Sequence, residues 1–245
     1  MKTLQQLLGE GVHDAGIFKV LYVIGAPGSG KTTIVERATA GLGYKRISSD
    51  KIFELMAGEV DLSDNDPALQ DVRKKARRIM YREKENYVNS RLPIIIDTPG
   101  YGDYVQKDIL FLESKGYEVF MIVVDTKLET ALDRNQNRTR KVPPQAIKDQ
   151  YSSIKRNFKE FSNMIAYENF AVINNDVTPS DETFTSLWKQ VKRFTSSPPK
   201  HAAAKEWIAR KSAPKEPPKL TPSGLKAYPK PTKATTASSF SHSLF

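Results

Sequence analysis

The chain has 245 residues, 39% hydrophobic and 27% charged, the composition of a globular protein of one or two domains. It has no cysteine, which excludes disulfides, thiolate zinc sites and a thiol nucleophile. The formal charge is +10, but nine Lys and Arg against only Glu206 and Glu216 fall after residue 195, so the basic character describes a tail more than a domain.

Near the N-terminus Leu4, Leu7 and Leu8 fall on one face of a short helix, and no apolar block marks a secretory leader. No run approaches the roughly 20 apolar residues of a membrane span. The expectation is a cytoplasmic protein without membrane contact. His13, His201 and His242 are too dispersed in sequence to suggest a metal site.

Residues 17–24 (IFKVLYVI) read as a strand, and residues 31–40 as a helix stopped by Gly41 and Gly43. A short second strand over 44–48 leads to a helix over 51–57. Residues 67–90 have helical periodicity, with Leu69, Val72, Ala76, Ile79 or Met80, and Tyr87 on one face. The unbroken apolar run at 93–96 marks a buried parallel strand. A helix over 107–115 closes at Gly116, and 117–124 form the fourth strand. Helices over 128–137 and 144–165, a fifth strand over 170–173 and a last helix over 181–194 follow. Strands alternating with helices predict right-handed crossovers and a three-layer α/β/α sandwich.

This divides the chain into an extension (1–16), a domain (17–195) and a tail (196–245). The tail holds eight of the fifteen prolines and few large apolar residues, so disorder is expected there. Within it, residues 201–211 (HAAAKEWIARK) carry good helix formers and a Trp207–Ile208 pair suited to docking.

Residues 25–33 are Gly25, Ala26, Pro27, Gly28, Ser29, Gly30, Lys31, Thr32 and Thr33. They satisfy G-x-x-x-x-G-K-[ST] between a strand and a helix, the setting in which that pattern is a phosphate-binding loop. The glycines let backbone N–H groups approach an anion, helped by the helix N-terminus. Lys31 is expected to reach the β- and γ-phosphates, and the Thr32 hydroxyl to ligate Mg²⁺. Asp97, ending the third strand, has the placement of a carboxylate that holds Mg²⁺ and hydrogen-bonds Thr32. Asp50, ending the second strand, stands on the same rim. It is either the base that takes a proton from an acceptor hydroxyl or the N-cap of the next helix. Asp125 is read as structural.

Arg134 and Arg138 share a helix face, and Arg140 follows where the helix gives way to Pro143 and Pro144. They form either a lid that closes over a transferring phosphoryl group or a solvated basic face. Arg73, Lys74, Lys75, Arg77 and Arg78 form a second basic cluster. It is either the lining of a site for a phosphate-bearing acceptor or another solvated face.

GAPGSGKTT, Asp50, IIIDTPG and especially VVDTKLETALDRNQNRTRKVP resemble the P-loop kinases of the zeta-toxin and polynucleotide-kinase type, including small phage-encoded zeta-toxin-like members. The opening EGVHDAGIFK is also similar, and the likeness covers about residues 9–190. It implies sheet order 2-3-1-4-5 and ATP with Mg²⁺ on residues 25–33. It also implies Asp50 acting on the acceptor hydroxyl and Arg134, Arg138 and Arg140 as the lid. The implied acceptor is a small molecule or a nucleic-acid end. The turn from Asp97 to Gly100 departs from the Gly-rich turn usual in that group.

Asp97 to Gly100 also fits the D-x-x-G element of GTPases. The matching guanine-reading element is missing, since Thr126-Lys127-Leu128-Glu129 has Glu in place of Asp and Asn174-Asn175-Asp176 lacks Lys. That tips the nucleotide toward ATP. A third reading is a non-catalytic nucleotide-binding protein tethered to nucleic acid by nonspecific contact through its basic tail.

Overall fold

The structure is a computed structural model that describes residue 12 and residues 14–58, 67–98, 100, 103–138 and 141–213. The N-terminal leucines, His13, Arg140 and the tail beyond residue 213 lie outside the described residues.

The strands are β1 (Lys19–Ile24), β2 (Lys45–Ile47), β3 (Ile94–Thr98), β4 (Glu118–Asp125) and β5 (Phe170–Asn174). They pair in parallel in the order β2-β3-β1-β4-β5, as the resemblance implied. The helices are α1 (Lys31–Ala38), α2 (Ser49–Ala57), α3 (Pro67–Asn89), α4 (Tyr104–Ser114), α5 (Leu128–Gln136), α6 (Pro144–Met164), α7 (Asp181–Ser196) and α8 (Ala202–Ser212). Every residue of β1 is buried, and β4 is buried up to Asp125. Such strands carry no polar face because helices cover both sides of the sheet. Side-chain alternation sorts the core into two layers. Leu21, Val23, Ile95, Phe120 and Ile122 meet Ile34, Val35, Leu187 and Val191 from α1 and α7. Tyr22, Ile24, Ile96, Met121 and Val123 meet Val88, Ile109, Ile154 and Phe161 from α3, α4 and α6.

Two helix starts differ from the sequence expectation. The helix expected at 107 begins at Tyr104, because Val105, Ile109 and Leu112 form one buried stripe that needs the extra turn. The helix expected at 51 begins at Ser49. Ser48 is its N-cap, accepting the Lys51 N–H at 3.4 Å, so Asp50 lies in the first turn rather than at the cap.

Two buried polar clusters fasten helices to the sheet. Asp108 of α4 accepts from the Tyr22 hydroxyl of β1 and the Lys84 ammonium of α3. Burial, reinforced by the Asp108 charge, raises the Tyr22 pKa well above the ordinary tyrosine value. At the other end of the sheet the Lys19 side chain is 0% exposed; it donates to Glu118 and to the Ser197 hydroxyl, each at 2.9 Å. The Lys200 N–H donates to the same glutamate. Burial lowers the Lys19 pKa, and Glu118 opposes that shift.

This second cluster ties the α7–α8 connection to the sheet. α8 then packs on the core: Trp207 stands edge-on to Phe18 with ring centroids 5.4 Å apart, and Ala204 is buried. Gly116 permits the approach, since a Cβ there would sit 3.0 Å from the Ala204 nitrogen. The domain end expected at 195 is therefore corrected. The folded unit runs to Ser212, because Trp207 and Ile208 cover the Phe18 side of the core. Among the described residues no helix is long and apolar enough to cross a membrane.

Truncation after Ser196 removes Ala204, Trp207 and Ile208. It is expected to cost about 3 kcal/mol, or about 8 °C in Tm, whereas truncation after Ala213 leaves the thermal melt unchanged. Equal melting points for the two truncations would contradict this docking.

Candidate active site

The sheet order sets the position of residues 25–33. The chain leaves β1 and enters α1 with β3 on one side and β4 on the other. The connection after β1 runs to β2 on one side and the connection after β3 crosses to β4 on the other, and beside such a switch open α/β sheets bind ligands.

Backbone constraint shapes the loop. Gly28 and Gly30 both have φ of 85°, in the left-handed region. A Cβ on Gly28 would lie 2.2 Å from the Ala131 carbonyl oxygen of α5, and one on Gly30 would lie 2.3 Å from the Asn175 Nδ2. At Gly25 the obstacle is the Ser29 Oγ at 2.5 Å. The Ser29 carbonyl accepts the Asn175 amide at 2.6 Å and the Thr126 hydroxyl at 3.3 Å. The Ser29 N–H donates to Ala26 O at 3.0 Å. Pro27 is half-buried, while Thr32 and Thr33 open α1 exposed. Among the described residues the buried Ser29 hydroxyl has no hydrogen-bond partner. A cradle closed to Cβ atoms and a polar atom without a partner fit a bound phosphate chain.

Lys31 folds back over the loop and donates to Gly25 O at 2.7 Å and Ala26 O at 3.1 Å. Burial lowers its pKa; Asp97 and Asp50 oppose the shift, while Arg138 and Arg46 reinforce it. The direct Thr32–Asp97 hydrogen bond expected from the sequence is replaced by a bridge. Arg46 Nη2 donates to Asp97 Oδ2 at 2.5 Å and to Thr32 Oγ1 at 3.2 Å. Register explains the reach, since Arg46 pairs with Ile95 and so faces the same side of the sheet as Asp97. Two oxygens that converge on one cation suit magnesium, which takes one or two protein oxygens and fills its shell with water and phosphate. The described residues contain no group of three or more His, Asp or Glu able to hold a metal.

Asp50 borders a recess of about 60 Å³ lined by Ser49, Phe53, Arg73, Ala76 and Arg77. Phe53, Leu69 and Ala76 pack α2 on α3 beneath it, and the Arg73 guanidinium lies 5.2 Å from the Phe53 ring centroid. The basic cluster therefore divides: Arg73 and Arg77 line the recess, while Lys74 pairs with Asp71 at 3.4 Å on the open surface.

The arginine segment divides too. Arg134 donates to the Asn175 and Asp176 carbonyls at 2.7 and 3.1 Å, holding α5 to the turn after β5. Arg138 is exposed, and its charge acts on Lys31. Asp125 pairs with Lys155 at 3.0 Å. The Gly100 N–H donates to the Thr98 hydroxyl at 3.4 Å, and the Gly100 α-carbon faces Ile24.

Arg46, Thr126 and Asn175 join the site without a sequence motif of their own. The available signal is position, since Thr126 and Asn175 directly follow the ends of β4 and β5. Asn175→Ala frees the Ser29 carbonyl from its shorter bond. It is expected to cost about 1 kcal/mol in urea denaturation and to weaken ATP binding several-fold. Unchanged values in both would contradict the bracing role.

Strand, glycine cradle, lysine and helix together define a P-loop nucleotide-binding fold. The model of the AAA_33 family, described as an AAA domain, matches residues 20–161, and the chain belongs to that family. No curated protein matches the sequence. The structure of AvrRxo1-ORF1:-ORF2 with ATP is similar at TM-score 0.51 and 14% identity, over 67% of this chain and 59% of that one, and shares the fold. A gluconokinase from Sinorhizobium meliloti 1021 matches at TM-score 0.46 and 16% identity, over 73% of this chain and 94% of the other. The Pnkp1/Rnl/Hen1 RNA repair complex matches at TM-score 0.48 and 20% identity, over 59% of this chain and 46% of the other.

Proposed function

We propose that the protein is an ATP-dependent kinase that transfers the γ-phosphoryl group to a hydroxyl. The observation that carries this reading is the glycine cradle closed to Cβ atoms, with Lys31 folded over it and Thr32 and Asp97 bridged through Arg46 beside it. The backbone N–H groups of residues 25–33 and the Lys31 ammonium bind the phosphates. Thr32 and Asp97 would hold magnesium, which supplies neutralising charge on the phosphate oxygens. Asp50 orients the acceptor hydroxyl and takes its proton as the new O–P bond forms and the bond to the ADP oxygen breaks. Arg138 and Arg140 close over the transferring group. Arg134 anchors α5, the helix that precedes them in the sequence, and joins the lid if its carbonyl bonds release.

Arg73 and Arg77 beside Asp50 support an anionic acceptor: a nucleic-acid end, a nucleotide or a nucleotide sugar. The basic segment after residue 213 supports an added, sequence-independent contact with nucleic acid.

Incubation with γ-labelled ATP and a panel of these acceptors, with a nucleoside included, tests the reading. Labelling of one acceptor is expected, and Asp50→Asn is expected to slow it by about 10²–10³-fold while ATP binding persists. Labelling no higher than that of Lys31→Ala, or an Asp50→Asn enzyme as fast as wild type, would refute the assignment.

A further inference from the structure

Arg46 bonds both residues read here as metal ligands. It lies on β2, the edge strand beside β3. Its Nη2 stands where the Thr32 hydroxyl and the Asp97 carboxylate converge, at 3.2 and 2.5 Å. The pair is shielded, with side chains 21% and 11% exposed, so water screens it far less than a surface ion pair.

Two further features distinguish Arg46 from a fixed structural cation. Its contact with Asp97 runs through Nη2, and its buried Nε has no hydrogen-bond partner among the described residues. The guanidinium is thus incompletely satisfied in this position. A second carboxylate also stands nearby. Glu36, one turn along α1 from Thr32, lies 3.8 Å from Nη1 and is 67% exposed.

We propose that Arg46 is the resident cation of the magnesium position. It holds Thr32 and Asp97 together in the nucleotide-free protein, and it sets how much magnesium is needed for ATP to bind. The inference rests on the reading of residues 25–33, Thr32 and Asp97 as the ATP and magnesium site. A guanidinium and a divalent cation repel at contact distance and cannot share the same pair of oxygens. Arg46 must therefore give up the Thr32 hydroxyl and Asp97 Oδ2 as the metal takes them, and Glu36, already 3.8 Å from its Nη1, gives its charge a solvent-facing partner. The apparent metal affinity is then the intrinsic affinity scaled by the fraction of molecules in which Arg46 has withdrawn. If Arg46 occupies the position nine-tenths of the time, that scaling is about tenfold.

The test reads binding rather than turnover. Anisotropy of a fluorescent ATP analogue is followed as free Mg²⁺ is raised from an EDTA-buffered start, and the Mg²⁺ midpoint is recorded. Arg46→Gln is expected to lower that midpoint about tenfold. An unchanged or raised midpoint overturns the proposal while leaving the kinase reading intact. A wild-type protein that binds no nucleotide at any Mg²⁺ concentration overturns both. Should Arg46→Gln fail to fold, the surface variant Glu36→Gln decides the matter. Loss of the outer partner is expected to raise the midpoint about twofold, the scale of an exposed ion pair, and an unchanged or lowered midpoint overturns the proposal.

Discussion

The site depends on one backbone constraint: the turn between β1 and α1 must hold two left-handed residues against neighbours that leave no room for a Cβ. Gly28 faces the Ala131 carbonyl and Gly30 faces the Asn175 amide. Those neighbours come from α5 and from the turn after β5, elements more than 90 residues further along the chain. The loop therefore fits against neighbours that the β4–β5 half of the sheet supplies. The same turn receives Arg134 from α5, so helix, turn and loop brace one another. Side chains fixed in this way give a phosphate cradle that needs little rearrangement on binding.

Charge at the cradle is arranged in two opposed sets. Lys31 and Arg46 are the cations, and Asp50 and Asp97 are the carboxylates whose fields offset the burial of Lys31. Arg46 pairs with Asp97, since a largely buried, unpaired carboxylate would be costly. Asp50 is exposed and borders the recess beside Arg73 and Arg77. Both arginines sit on α3. That helix is anchored from below by Lys84 on Asp108.

The fold was legible because its signals are local. The apolar runs of β1, β3 and β4 and the glycine spacing of residues 25–33 need no partner to be recognised, and alternation with helices dictates a parallel sheet. Sheet order came from resemblance, since no local pattern states which strands are neighbours. The roles of Arg46, Asn175 and Arg134 depend on register and on contacts across the sheet. Arg46 reaches Asp97 only because β2 pairs with β3 at Ile95. The resemblance implies a lid role for Arg134, and its contact with two carbonyls of a turn 41 and 42 residues away is not written in its spacing. α8 was placed in the tail because proline and charge surround it. Its burial against Phe18 is a tertiary fact that composition does not carry.

Calorimetric titration of ATP and GTP at saturating Mg²⁺, on wild type and Lys31→Ala, tests the central claim most directly. The account predicts that ATP binds, that GTP binds at least about tenfold more weakly, and that Lys31→Ala abolishes ATP binding. GTP binding about tenfold tighter than ATP, or Lys31→Ala binding ATP like wild type, would contradict it.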